Sequence, residues 1–196
     1  MVIWLIVIAE SVMSRKWTVL KSRELLKIPF MRLRDDELEL PDKRIFSHYY
    51  VFDFPDWVNV VPVTSDGRLV LIRQYRHAVG EYCIEIPGGS TDPRQKELPE
   101  GAARRELIEE TGYEPQSLIH IGTQQPNPAL ISNRLWSYVA LGCEKKFEQN
   151  LDEFEDIEVM THTVEETLAM IKDGQIKHSM VIAAIYLALP HLKIKT

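Results

Sequence analysis

Apolar and polar positions alternate along much of the chain, with a period near two in most segments and near 3.6 in a few. After Lys16 the alternating runs "KWTVL", "IPFMRLR" and "RIFSHYYVFDF" read as strands, with Pro41-Asp42 as the turn between the second and third. "WVNVVPV" and "RLVLIRQYR" form a hairpin around Ser65-Asp66-Gly67, and "YCIEIP" is a strand ended by Pro87-Gly88-Gly89. A helix is expected from about Pro99 to Thr111, stopped by Gly112. Strands resume at "SLIHIGTQ", "LWSYVAL" and "IEVMT". Thr163 and Glu166 make a capping box for the helix "VEETLAMIKD", which Gly174 ends. A last helix near Ser179 to Leu189 is apolar on most sides and should enter the core. Strands and helices do not alternate regularly. The expected class is α+β, a mixed sheet sandwiched between helices.

Composition narrows the partners. The 196 residues carry a net charge of −6, with 45% hydrophobic and 27% charged residues, which describes a soluble globular chain. The negative field disfavours nucleic acid as a bulk partner. It permits a small anionic substrate if metal ions supply local positive charge. Cys83 and Cys143 make neither a disulfide framework nor a zinc spacing, and they suit a reducing, cytoplasmic compartment. The apolar run at residues 2–9, "VIWLIVIA", is too short to span a bilayer and lacks the flanks of a signal peptide. Met13 opens "MSRKW" as a natural start, so the first dozen residues read as an upstream extension or as an extra strand.

The stretch "AARRELIEETG" carries the candidate chemistry. At 100° per residue, Glu106, Glu109 and Glu110 share one stripe of the helix, with Ala102 and Ala103 a turn earlier on the same side. Leu98, Leu107 and Ile108 are expected to meet the core, while the alanines leave room for a neighbouring loop. Like charges at these spacings repel. They are relieved either by solvent, with Arg104 and Arg105 as counter-charges, or by a hard cation such as magnesium or manganese.

The surrounding residues favour the cation. Gly88-Gly89 follow a strand, and "ELPEGAARRELIEETGY" runs from Glu97 to Tyr113 without a gap. These residues resemble the Nudix box, with one departure: seven residues, "STDPRQK", separate Gly89 from Glu97 where the family pattern has five. The resemblance implies a Nudix fold (α/β/α), with a small antiparallel β subdomain at 16–54, the Nudix domain at 55–196, and 1–15 as an extension. It implies that Glu106 and Glu110 are the main metal ligands, with Glu109 and the Gly88 carbonyl as further ligands. Arg105 would hold the glutamates, and Glu97 would be a supporting carboxylate or a further metal ligand. Two or three magnesium ions, replaceable by manganese, would bridge a diphosphate.

"RQYR" followed by "EIPGG" is similar to the ADP-ribose and nucleoside diphosphate sugar pyrophosphatase branch. On that likeness Arg73 and Arg76 are candidate diphosphate clamps, and Glu85 binds a ribose hydroxyl, a metal water or an arginine. Pro128 stands where the branch has a proline, although "PNPAL" departs from the usual Ser-Pro-Gly. That departure leaves GDP-mannose and other nucleotide sugars open beside ADP-ribose. The acidic segment "QNLDEFEDIEV" offers Glu153 and Glu155 as the general base. Among the early aromatics, Tyr50 and Trp57 are candidates to stack a nucleobase, and the family implies a homodimer. The six histidines form no ligand-like cluster and receive no role. The rival readings are a non-catalytic sensor of ADP-ribose-like metabolites and an enzyme for damaged or capped nucleotides.

Overall fold

The computed structural model describes residues 16–192, so the extension read at residues 1–15 lies outside the described part. The chain forms two compact units. One comprises residues 16–54 with 127–133, and the other residues 55–126 with 134–192.

In the small unit, β1 (Thr18–Ile28), β2 (Met31–Glu39) and β3 (Ile45–Asp53) make an antiparallel sheet in that order. The first turn falls at Pro29-Phe30, inside the run expected to be one strand from Ile28 to Arg34. Proline has no N–H for a ladder, so it divides the run rather than joining it. Asp35 and Asp36 are buried, and the sheet satisfies them: Arg23 reaches Asp35 at 3.0 Å, and Ser22 Oγ donates to Asp36 at 2.6 Å. The segment 127–133 adds to β3. Phe52 N donates to the Leu130 carbonyl at 2.9 Å, and Ser132 N donates to the Phe52 carbonyl at 3.1 Å.

The larger unit is an eight-stranded mixed sheet. Its spine is β11 (Ile157–His162), β5 (Leu69–Arg76), β4 (Trp57–Thr64), β10 (Leu135–Lys145) and β8 (Tyr113–Glu114). β6 (Glu81–Glu85) pairs with β5, β7 (Gly88–Ser90) with β4, and β9 (Ser117–Gln124) with β10. β4 and β10 run parallel. Strand parity sorts the core into two layers. Val58 and Val60 of β4, with Tyr138 and Ala140 of β10, receive α1 (Pro99–Thr111) through Ala102, Ala103 and Leu107. Val61, Val63 and Val139 face the other way, toward α2 (Val164–Lys172) and α3 (Ser179–Ala188). Helices therefore cover both faces of a mixed sheet, as expected.

Two local expectations change. Leu98 is 74% exposed at the N-cap of α1 and does not meet the core. The fully buried alanines admit the strands β4 and β10 rather than a loop. The capping box is present, with Thr163 and Glu166 bonded reciprocally at 2.8 and 3.1 Å.

Candidate active site

α1 starts with Pro99, whose fixed φ and missing N–H suit a first helical turn, and stops at Gly112 with φ 74°. A side chain at Gly112 would meet the Phe147 carbonyl. That close approach lets residues 146–150 wrap the helix end. Lys146 N and Phe147 N donate to the Gly112 carbonyl at 3.0 and 3.1 Å, and Asn150 N donates to that of Glu109 at 2.9 Å. Gln149 Nε2 bonds the carbonyls of Glu110 and Ile157 at 2.7 and 3.0 Å. The acidic loop that follows is thereby tied to the glutamate helix at its base.

The carboxylates on α1 and just before it divide into two groups. Arg105 gathers the first: it bonds Glu97 at 2.9 and 3.1 Å, Glu106 at 3.0 Å and Glu109 at 2.9 Å. The Arg105 hydrogen bonds hold the Glu97 carboxyl below its ordinary range, against the opposing effect of burial. Glu110 is the second, only 3% exposed, with Oε2 accepting from Gly88 N at 2.9 Å. Burial pushes Glu110 up to about 8, with the charges of Glu106 and Glu155 adding to the effect and the Gly88 N–H opposing it. Burial likewise pushes Glu106 up to about 7, although Arg105 opposes it. Glu106 and Glu110 lie one helical turn apart, and Glu155 adds its charge to both.

These residues fit a hard divalent cation. The donors are oxygens: buried Glu110 is bonded by a backbone N–H, and half-buried Glu106 shares Arg105 with Glu97 and Glu109. Gly89 is a cradle: a Cβ there would overlap the Glu106 carboxylate. Among the described residues no three histidine, cysteine or acidic side chains converge into a closed cage. The expected set of Glu97, Glu106, Glu109 and Glu110 is thus split, because Arg105 draws Glu97, Glu106 and Glu109 onto itself. An octahedral ion that keeps waters and takes phosphate oxygens needs few protein ligands.

Beside Gly88 and Gly89 opens a cleft of about 290 Å³, lined also by Trp57, Asn59, Arg76 and Glu85. Glu85 sits on β6, 3% exposed, and both its oxygens are engaged. Arg76 Nε donates to Oε1 at 3.1 Å and Nη2 to Oε2 at 2.5 Å. Burial alone would raise the Glu85 carboxyl, but hydrogen bonds from His178 and Arg76 bring it down to about 2. Of the roles open to Glu85, partnering an arginine is the one this geometry fills. Arg73 is not brought to Arg76. The two point to opposite faces of β5, and Arg73 bonds Glu158 at 3.0 Å and lies 4.4 Å from the ring centroid of Tyr82.

Glu153 and Glu155 stand exposed in the loop before β11; the Asp152 N–H donates to Glu155 Oε2 at 3.0 Å. Tyr50 and Pro128 belong to the small unit. Tyr50 is exposed on β3, stacked near His48, and Pro128 is exposed within the segment 127–133.

Three supporting residues escape sequence reasoning: Gln149, Asp56 and His178. Asp56 fixes the strand beside the glutamates, accepting from Trp136 Nε1 and Arg134 N at 2.9 Å and, through its carbonyl, from Thr91 N at 2.9 Å. Each acts through a partner at least 35 residues away or through backbone carbonyls, so no local spacing announces it.

Comparison with known proteins agrees with this geometry. Residues 53–184 match the model of the NUDIX domain, and residues 17–51 match that of the nucleoside diphosphate sugar hydrolase N-terminal domain. A methanol dehydrogenase activator from Bacillus methanolicus is 31% identical over 167 residues, which cover 85% of this chain and 89% of the relative. An ADP-ribose pyrophosphatase from Bacillus subtilis is 31% identical over 151 residues, covering 76% of this chain and 80% of the relative. A solved structure described as an ADP compounds hydrolase superposes with a TM-score of 0.77 at 22% identity, over 90% of this chain and 94% of that one; it shares the fold. With the box intact on α1 and the family model spanning most of the chain, the protein belongs to the Nudix family.

Proposed function

We propose that this Nudix hydrolase cleaves the pyrophosphate bond of a nucleoside diphosphate sugar of the ADP-ribose or GDP-mannose kind, giving a nucleoside monophosphate and a sugar phosphate. The observation that carries the reading is the pairing of two glutamates whose carboxyls burial pushes up, Glu106 and Glu110, with a cleft that presents Arg76. The match of residues 17–51 and the names of relatives, among them a GDP-mannose pyrophosphatase from Citrobacter koseri, support the substrate class.

Glu106 and Glu110 would hold magnesium, or manganese in its place, with Gly88 contributing its carbonyl. Magnesium bound there supplies charge neutralisation of the phosphate oxygens and acidifies a water. Arg105 keeps Glu97, Glu106 and Glu109 in place. Arg76, locked by Glu85, grips the diphosphate with its free edge, and Trp57 forms a wall of the cleft. Glu155, or its neighbour Glu153, takes the proton of the attacking water. The water oxygen bonds to phosphorus as the bridging P–O bond breaks.

The test is a screen of nucleoside diphosphate sugars with magnesium present, reading released monophosphate. Hydrolysis that chelation abolishes is the expected result; tight binding without release would instead make the protein a sensor. We further propose a homodimer, supported by exposed apolar residues such as Leu20 and Phe46 on the small sheet and Trp17 just before it. A cytoplasmic location is supported by the two free cysteines. Among the described residues no helix is long and apolar enough to cross a membrane.

A further inference from the structure

His178 is the histidine that the hydrolysis above leaves unused and that the cleft nonetheless contains. It occupies the N-cap position of α3 but makes no side-chain cap there. Its ring turns to β6 instead. Nδ1 is closed off from solvent, has no hydrogen bond of good geometry, and lies at an ion-pair distance of 3.3 Å from Glu85 Oε1, the oxygen that also accepts from Arg76 Nε at 3.1 Å. The other oxygen takes Arg76 Nη2 at 2.5 Å and Gln74 Nε2 at 3.5 Å. The carboxylate is therefore bonded by Arg76 and Gln74 and faced at close range by the His178 ring.

The segment that carries His178 is itself fastened to this end of the sheet. Lys177 Nζ donates to Glu81 Oε2 at 2.8 Å, and Asn59 Nδ2 donates to the Met180 carbonyl at 3.3 Å. Glu81 and Glu85 are the two ends of β6, so the chain entering α3 is clamped along that strand. A carboxylate gripped by one arginine alone can pivot about its last bond. Arg76, whose side chain is 45% exposed, would then follow it toward solvent. Gln74 bonds one oxygen weakly, and the buried edge of the His178 ring, set 3.3 Å from the other oxygen, closes off the remaining movement.

We infer that His178 is a positioning residue of the reaction: it fixes Glu85, and through Glu85 it keeps the Arg76 guanidinium set toward the cleft. What Arg76 grips rests on the function proposed above; the mechanical link from His178 to Arg76 does not.

The experiment uses full-length protein with ADP-ribose and GDP-mannose as probes, and the variants H178A, H178N, R76A and H178A/R76A. The expected H178A effect is a rise in KM of about tenfold with kcat within about twofold. H178N, whose amide can donate from nearly the position of Nδ1, restores most of the loss. The double variant has the KM of R76A, because His178 acts only through Arg76. An unchanged KM in H178A, or additive losses in the double variant, overturns the inference. A second readout needs no activity. In a nitrogen-15 spectrum the Arg76 Nε–H signal exchanges slowly in wild type and in H178N, and broadens or disappears in H178A. If wild type hydrolyses neither probe, the proposed function fails and this spectrum still decides the role of His178: an unaltered Arg76 signal in H178A rejects it.

Discussion

Glu85 on β6 and Glu110 on α1 are each 3% exposed, and burial penalises the charge of both. Their carboxyls nonetheless move in opposite directions, Glu85 down to about 2 and Glu110 up to about 8. The difference lies in the partners. Glu85 meets a guanidinium fork and a histidine. Glu110 has one backbone N–H and two like charges nearby, with Arg76 only a lesser influence. A buried carboxylate that carries its own cation is part of the scaffold; one left without is a place where a cation can be taken up. The same contrast separates the arginines. Arg76 and Arg105 are committed to carboxylates around the site, whereas Arg73 is spent on Glu158 and Tyr82.

Removing the charge at Glu110 should have the largest effect. E110Q keeps the hydrogen bond from Gly88, and turnover should fall by about a thousandfold or more while circular dichroism stays native. Near-normal turnover would show that Glu110 is as structural as Glu85. R105A frees Glu97, Glu106 and Glu109 together and should cost about 10–100-fold in activity, partly recovered by excess manganese. E85A should act on stability more than on chemistry. It leaves Arg76 beside an empty buried site and should cost about 3 kcal/mol in denaturant unfolding, toward the low end for a broken buried pair because Arg76 is half in solvent.

The pH response sharpens the contrast further. Glu106 and Glu110 bind protons more tightly in the folded chain than at their ordinary value of 4.5, so their contribution to stability is full below about 4.5 and is lost as pH rises through about 7 to 8. Metal-free protein should therefore melt at progressively lower temperature from pH 5 to 8, and added manganese should raise the melting temperature most at the alkaline end. Glu85 has the reverse sign: its contribution is present above about 4.5 and lost as pH falls through about 2. The smallest change is R73A, with kcat/KM within about twofold of wild type, since an exposed ion pair contributes little. A loss as large as that of R76A would return Arg73 to the site.

The layers of the larger unit were legible because parity and period act over neighbouring residues. Val58 and Val60 against Val61 and Val63 already separate two faces, and the helix bearing the glutamates follows from its fixed spacing. β1 was legible only in part. Its residues from Thr18 through Lys27 are all exposed, so "KSRELLK" carries no in-and-out alternation to read. β7 and β8 are too short to show a period. In the site, the motif around α1 announced its carboxylates and an Arg105 that holds them, but not that Arg105 would leave Glu110 to Gly88. That division depends on where β7 lies beside the helix. His178 stayed hidden because its partner Glu85 is 93 residues earlier and meets it only after β6 and α3 have packed.

The central claim is that Glu106 and Glu110 form the cation site, and anomalous diffraction from a crystal soaked in manganese addresses it directly. A peak within about 2.0–2.2 Å of oxygens from both carboxylates, lost in E110Q, is the predicted result. No peak there, in crystals whose dissolved protein still hydrolyses its substrate only when manganese or magnesium is present, would contradict it.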